Sequence, residues 1–349
     1  MKQISESEKK LLSIIRQLLF LILSLVAILL LLVVIYIFGF PDFSSKENTY
    51  ADKKITTVPL EKKAETNFWL PPDTSSLEKN KMREIILYGR DLIANTSKYL
   101  GPKGSVSHFT NGMNCQNCHL EAGTKIFGNN YSAVASTYPK FRARSGSIES
   151  IEKRVNDCVE RSLNGKALNT ESDEMKAIIA YIKWLGKNVA KGETPNGAGL
   201  VNLNYLNRAA DAEKGQKIFS QQCTKCHGAN GEGKLATQTI FFQYPPLWGN
   251  QSYTIGAGLF RLSRFAGYVK ANMLLSATFD KPILSDEEAW DVAAFVNNQF
   301  HPTKDISTDW PDIAKKPIDN PFGPYADKFS EKQHKFGPFT EMVSSKKKN

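Results

Sequence analysis

Cysteine and histidine are scarce in this chain, five of each among 349 residues. With an odd number of cysteines at least one thiol stays outside any disulfide set, so the fold is not organised as a disulfide scaffold. Blocks of like charge are also lacking. The formal net charge is +10, but the lysines behind it are scattered, which argues against a nucleic-acid surface and leaves a small anion or an acidic protein as the better match for the excess. Long apolar runs are missing after Phe40, so a single membrane segment is the most the composition supports.

Four of the five cysteines fall into two Cys-x-x-Cys-His pentads, Cys115 to His119 and Cys223 to His227. This spacing reads as c-type haem attachment, in which two thioethers hold the porphyrin and the histidine supplies one iron ligand. Cys115, Cys118, Cys223 and Cys226 are then thioether residues, His119 and His227 metal ligands, and the expected cofactors two covalently bound haem c. Cys158 is left over. It is buried filler, a reactive thiol or an iron ligand.

Gln17 to Phe40 is almost unbroken Leu, Ile, Val, Phe and Ala. As a helix it spans about 35 Å at 1.5 Å per residue, enough to cross a bilayer. Lys2, Lys9, Lys10 and Arg16 precede it and place residues 1–16 in the cytoplasm. The reading is a single-pass anchor in the cytoplasmic membrane (17–40) with the remainder on the periplasmic side; a cleavable signal peptide is the rival, disfavoured by length and by the lack of a small-residue cleavage site.

A polar tether (41–74) follows, docking through Phe68, Trp69 and Leu70. Ser75-x-x-Glu78 reads as a capping box opening a helix that ends near Gly101. After the first pentad a helix is predicted from about Ile148 to Gly165, with Gly165 as its terminating glycine, and another from Ser172 to Leu185. Residues 191–208 read as a linker. The pattern then repeats over 209–302, with Asp211 capping a helix that carries Gly215 and Phe219, the second pentad, and a closing helix capped by Ser285-x-x-Glu288. From 303 to 349 the chain is proline-rich and is expected to wrap the surface in extended form, ending in a solvated Lys346-Lys347-Lys348 tail.

Each half (75–190 and 209–302) resembles a class I cytochrome c domain, in which the first and last helices cross above the haem. Gly215 and Phe219 match the residues of that crossing. The expected fold is therefore all-α, two such domains in tandem behind one N-terminal transmembrane helix. Met273 stands before the closing helix of the second half, where such domains place a distal methionine; Lys270 is near enough to exchange with it. In the first half no methionine takes that position: Met175 reads as core, and Met113 and His108 precede the pentad. Cys158 does better, because Arg154, Cys158 and Ser162 are spaced four apart on one helical stripe, with Arg161 three residues on. Cationic neighbours favour thiolate. A small buried cysteine between solvated arginines is the bland alternative.

The stretch Arg142-Ala143-Arg144-Ser145-Gly146, then Arg154, then Cys158 to Lys166, is similar to the substrate segment of thiosulfate dehydrogenases. The tail Asp319 to Asp327 with Gln333 to Pro338 resembles that family's C-terminal signature. The resemblance implies a His/Cys-ligated active-site haem with Cys158 as ligand, a His/Met-ligated electron-transfer haem, and a substrate site formed by Arg144, Arg154 and Ser162 with Cys158. It implies oxidative coupling of thiosulfate to tetrathionate, reversible in principle, with electrons passed to an exported carrier such as a small cytochrome c or to a membrane oxidase. The rivals are a tethered electron-transfer cytochrome with no substrate of its own, and an enzyme acting on another sulfur anion. Leu274 stands where the family often has proline, and many members lack an anchor.

Overall fold

The computed structural model describes residues 6–38, 67–237, 239 and 241–346. Residues 41–66 of the expected tether, Lys2 and the last two lysines of the C-terminal run lie outside them. The chain divides into two compact units, 1–63 and 64–349. In the first, helix α1 (Glu6–Phe38) is 33 residues long. Its Lys10–Leu30 segment has a mean hydropathy of 2.4, so the helix is long and apolar enough to cross a membrane.

The second unit is built twice on the same plan. In its first half, helix α2 (Lys81–Ala94) breaks at Asn95 into α3 (Thr96–Leu100). The pentad leads into α4 (Leu120–Gly123), whose central residues Glu121 and Ala122 are left-handed, and α5 (Val134–Thr137) follows. Strands β1 (Lys140–Arg142) and β2 (Ser147–Glu149) form an antiparallel hairpin with Arg142 opposite Ser147. Helices α6 (Ile151–Arg161) and α7 (Asp173–Leu185) complete this half. The second half runs α8 (Ala212–Gln222), α9 (Thr224–His227), a small hairpin of β3 (Lys234–Leu235) and β4 (Phe242–Tyr244), α10 (Leu262–Asn272) and α11 (Asp286–Asn297).

In each half the first helix crosses the last, α2 over α7 and α8 over α11. Both crossings are close enough to require glycine. A Cβ on Gly215 would lie 1.9 Å from Asp291 O, and one on Gly89 2.0 Å from Ala177 O. Four residues beyond each glycine a large side chain fills the core, Ile93 in one half and Phe219 in the other, each 1% exposed. The crossing expected at Gly215 and Phe219 is present, and Gly89 with Ile93 is its counterpart, unread in the sequence.

Several boundaries differ from expectation, each for a local reason. Ser75 and Glu78 do not open α2. Asp73 caps a 3-10 turn at Thr74–Ser76, and the Asn80 side chain takes the Arg83 N–H at 3.1 Å, so the helix starts five residues later than Ser75-x-x-Glu78 suggested, at Lys81. Ile148 belongs to β2, where it is exposed, and α6 begins after Ser150, whose hydroxyl accepts from Lys153 N. At the far end Ser162 is the cap and Asn164, with φ 45°, turns the chain; Gly165 is not the left-handed residue. The remaining expected caps, Ser172, Asp211 and the Ser285–Glu288 box, are formed.

Phe68 packs edge-on against Phe127 and Phe279, and Trp69 is buried in the first core, whereas Leu70 faces solvent. The C-terminal segment is more than a surface wrap. It forms α12 (Glu331–Phe336) and α13 (Thr340–Lys346) and buries Phe339 and Met342 in the second core, because aromatic and aliphatic side chains at those positions complete the apolar face left by α8 and α11. The Lys346 ammonium donates to Lys316 O at 3.0 Å, so the first lysine of the expected tail is tied down.

Candidate active site

His119 and His227 are oriented by the same device. The Nδ1 of His119 lies 2.6 Å from Asn129 O and that of His227 3.1 Å from Pro245 O. A carbonyl only accepts, so Nδ1 carries the proton and Nε2 keeps its lone pair for a metal. The His119 ring also stacks on Tyr131, with centroids 4.5 Å apart.

Burial pushes the thiol of Cys115 up to about 11, that of Cys118 to about 12 and that of Cys223 to about 11. These are neutral thiols, suited to thioether chemistry and unsuited to binding a bare cation as thiolates. Among the described residues no three His, Cys, Asp or Glu side chains cluster as a metal ion held by protein alone would need. A porphyrin brings four nitrogens of its own, so one histidine per pentad with two cysteines fits haem c and does not fit zinc.

Cys158 behaves differently from the other thiols. Burial raises its pKa, but Arg154, hydrogen-bonding contact with His119, and Arg144 outweigh that and bring it down to about 6. The Arg154 guanidinium is in turn held in its charged form chiefly by Cys158. The stripe read from the sequence therefore exists: Arg154 precedes Cys158 by a turn, and Ser162, the C-cap of α6, follows by a turn and donates its N–H to Cys158 O at 2.8 Å. The site presents an imidazole and a thiol that favours its thiolate form to one another beside two half-buried neutral thiols. An imidazole and a thiolate are both side chains that would hold a haem iron.

Arg144 arrives by a route the sequence did not reveal. It sits in the hairpin loop between β1 and β2, where Gly146 adopts φ 65° and donates to Arg142 O at 2.9 Å. Its Nη1 donates to Gly256 O of the second half at 3.1 Å, and its own carbonyl accepts from Trp310 N at 2.7 Å. Burial and the charges of Arg161 and Arg154 pull its pKa down to about 10. Arg161 is not a neighbour of the thiol in the expected sense: its guanidinium is spent on Asp309 in a bidentate pair at 2.8 and 2.7 Å. Asp309, Gly256 and Trp310 were invisible to sequence reasoning because each acts from far along the chain.

In the second half, Met273 caps α10 and packs with Cys223 against one apolar cluster. Leu274, next to it, has φ 70°, an unusual value for a branched side chain at this turn. Lys270 is engaged elsewhere, with Asp286 at 2.7 Å and Leu284 O at 2.7 Å. Met175 is fully buried core, as expected.

The family model described as SoxA/TsdA, cytochrome c domain, matches residues 105–190, and that described as Cytochrome c matches residues 212–299. The molecule thus contains two cytochrome c domains in tandem, and its cofactors are two covalently bound haem c. The chain is 33% identical over 241 residues to a thiosulfate dehydrogenase of Psychrobacter arcticus, covering 69% of this chain and 71% of that protein. It is 36% identical over 229 residues to one of Allochromatium vinosum, covering 64% and 81% respectively. A solved structure, thiosulfate dehydrogenase (TsdBA) of Marichromatium purpuratum in its as-isolated form, matches with a TM-score of 0.60 and 30% identity over 66% of this chain. The match spans about half of that longer chain, 49% of its length.

Proposed function

Because the chain belongs to the thiosulfate dehydrogenase family, oxidoreductases acting on sulfur compounds, we propose that it couples two thiosulfates to tetrathionate at Cys158 and releases two electrons. The observation that carries this reading is the Cys158 thiolate lying against His119 with the charges of Arg154 and Arg144 beside it. In the same reading His119 and Cys158 ligate the first iron, and His227 and Met273 the second. When bound, the two haems supply the one-electron acceptor centres that the reaction needs.

The chain's own residues do the rest. Thiosulfate is a dianion, and two of them repel. Arg144 and Arg154 hold the sulfonate of one by charge-assisted hydrogen bonds and weaken that repulsion. The Ser162 hydroxyl, which has no side-chain partner among the described residues, supplies a further donor. The Cys158 thiolate and the outer sulfur of the bound thiosulfate form a sulfur–sulfur bond, giving up two electrons in total. The outer sulfur of a second thiosulfate then attacks the substrate-derived sulfur of this adduct, the Cys158–sulfur bond breaks, and tetrathionate leaves with Cys158 restored as thiolate. A thiol held near 6 leaves readily at neutral pH. Reversal of the same two steps cleaves tetrathionate when electrons are supplied.

Electrons pass onward to an exported acceptor, a small cytochrome c or a membrane oxidase, and α1 tethers the protein to the cytoplasmic membrane with both haem domains outside. The test is turnover of the haem-loaded protein, thiosulfate with ferricyanide in one direction and tetrathionate with a reduced viologen in the other. Activity in at least one direction is expected; none in either would leave an electron carrier in place of an enzyme.

A further inference from the structure

One guanidinium of this region has no role in the steps above. Arg264 lies on α10, in the second cytochrome domain, one turn before Tyr268. The Tyr268 hydroxyl donates to Asn117 O at 2.7 Å, inside the first pentad. α10 is therefore laid against the active-site pentad of the other domain. Three residues before Arg264, Arg261 is neutralised by Asp319 at 2.6 Å, and the second Asp319 oxygen is taken by Ser263 N at 3.1 Å and by its hydroxyl. Arg264 is half-buried, and its guanidinium has no hydrogen-bond or ion-pair partner among the described residues. The charges that reach it, besides Asp319, are Arg261, Arg142 and Arg154, which with burial lower its pKa.

Arg154 has the Cys158 thiolate as its chief counter-charge, and Arg142 is only loosely paired. The nearest carboxylate to Arg142 is Glu149 at 3.9 Å, and one oxygen of that buried carboxylate has no hydrogen-bond partner. Asp157, which also reaches Arg154, is taken by Lys153 at 2.7 Å. Four guanidiniums thus face two carboxylates, Asp319 and Glu149, and the Cys158 thiolate, which leaves one positive charge uncompensated. Withdrawing guanidinium from water is offset by a paired anion, and placing it among like charges adds to the cost when no anion is there. Loss of solvation and mutual repulsion point to the same missing partner.

We infer that Arg264, together with Arg142 and Arg154, forms an oxyanion site at the seam between the two domains, so that the second domain completes the anion pocket of the first. Its ligand is either the sulfonate end of the substrate or a propionate carboxylate of the first haem, both of which suit the guanidinium fork. The first source rests on the thiosulfate reading; the second rests only on haem binding.

The experiment uses full-length, haem-loaded protein carrying Arg264→Gln, Arg264→Lys or Arg142→Gln. Three quantities are read: KM and kcat for thiosulfate with ferricyanide, the rise in melting temperature given by inorganic sulfate, and the midpoint potential of each haem without substrate. With the sulfonate as ligand, Arg264→Gln raises KM about tenfold, leaves kcat within about twofold and abolishes protection by sulfate, and Arg264→Lys recovers part of both. With the propionate as ligand, KM stays and the first haem's potential moves while the second's does not. Arg142→Gln, on the opposite domain, should move the same quantity as Arg264→Gln, which guards against a folding defect at either site. KM, sulfate protection and first-haem potential all unchanged in both Gln variants would overturn the inference. If wild-type protein fails to oxidise thiosulfate, the functional reading falls alone, since sulfate protection and the potentials remain readable.

Discussion

Cysteines that are alike in the sequence differ in the fold by the charges around them. Burial raises Cys115, Cys118 and Cys223 to about 11 or 12, whereas Cys158, withdrawn from water to a like degree, falls to about 6 because Arg154, His119 and Arg144 surround it. Replacing Cys158 with Met, a ligand without a nucleophilic thiol, should keep both haems, as pyridine haemochrome counts would show, and lower thiosulfate turnover by at least about 1,000-fold. An active Cys158→Met variant would remove thiol catalysis. Arg154→Ala should weaken thiosulfate use by about 10- to 100-fold in kcat/KM, the range of one lost charge-assisted hydrogen bond. His301 sets a pH limit on stability. Burial holds its imidazole below the usual 6.5, while the unfolded chain binds the proton normally. Its contribution is complete above pH 6.5 and is lost as pH falls toward the folded value, at up to about 1.4 kcal/mol per pH unit. Denaturant unfolding from pH 7.5 to 5 should show this slope, and His301→Gln should flatten it.

Between elements, what matters is how close two helices come. The α8–α11 crossing is legible in the sequence because Gly215 and Phe219 fit a familiar pattern; the α2–α7 crossing is the same contact with Ile93 in place of the aromatic, and nothing local marks Gly89 as special. Only the 2.0 Å approach of a would-be Cβ to Ala177 O shows the need for glycine there. Gly89→Ala should therefore destabilise the protein by about 1–3 kcal/mol despite the better helix propensity of alanine. At roughly 2–4 °C per kcal/mol, the melting temperature should drop visibly. The helix starts went astray for a related reason. Ser75 and Ile148 have the right residue types, but Asn80 and Ser150 sit where the backbone N–H groups actually point, and a cap is decided by that geometry.

At the scale of the molecule, the candidate-site side chains of the first domain are fixed by the second domain and the C-terminal segment. Arg161 is pinned by Asp309, Arg144 by Gly256 O and Trp310 N, and the first pentad by Tyr268. The Arg161–Asp309 pair is mostly buried, so Asp309→Ala strands a guanidinium and should cost about 3–5 kcal/mol by chemical denaturation. It should also raise KM for thiosulfate, because Trp310 would no longer hold the Arg144 loop. A lower melting temperature with unchanged KM would show that this tie serves stability alone.

The sequence by itself determined the cofactor chemistry, the two-fold repeat of helical domains, the apolar N-terminal helix and the stripe of Arg154, Cys158 and Ser162. These are local: a pentad, an apolar run or a four-residue spacing holds wherever the chain goes. Tertiary structure alone decided that Cys158 meets His119, that Arg144 reaches across to Gly256, that Arg161 is spent on Asp309, and that Arg264 is brought to the seam with no partner among the described residues. The first joins residues 39 positions apart and the others residues more than a hundred apart, where sequence periodicity carries no distance information and only packing fixes which charges are paired and which are left to bind something else.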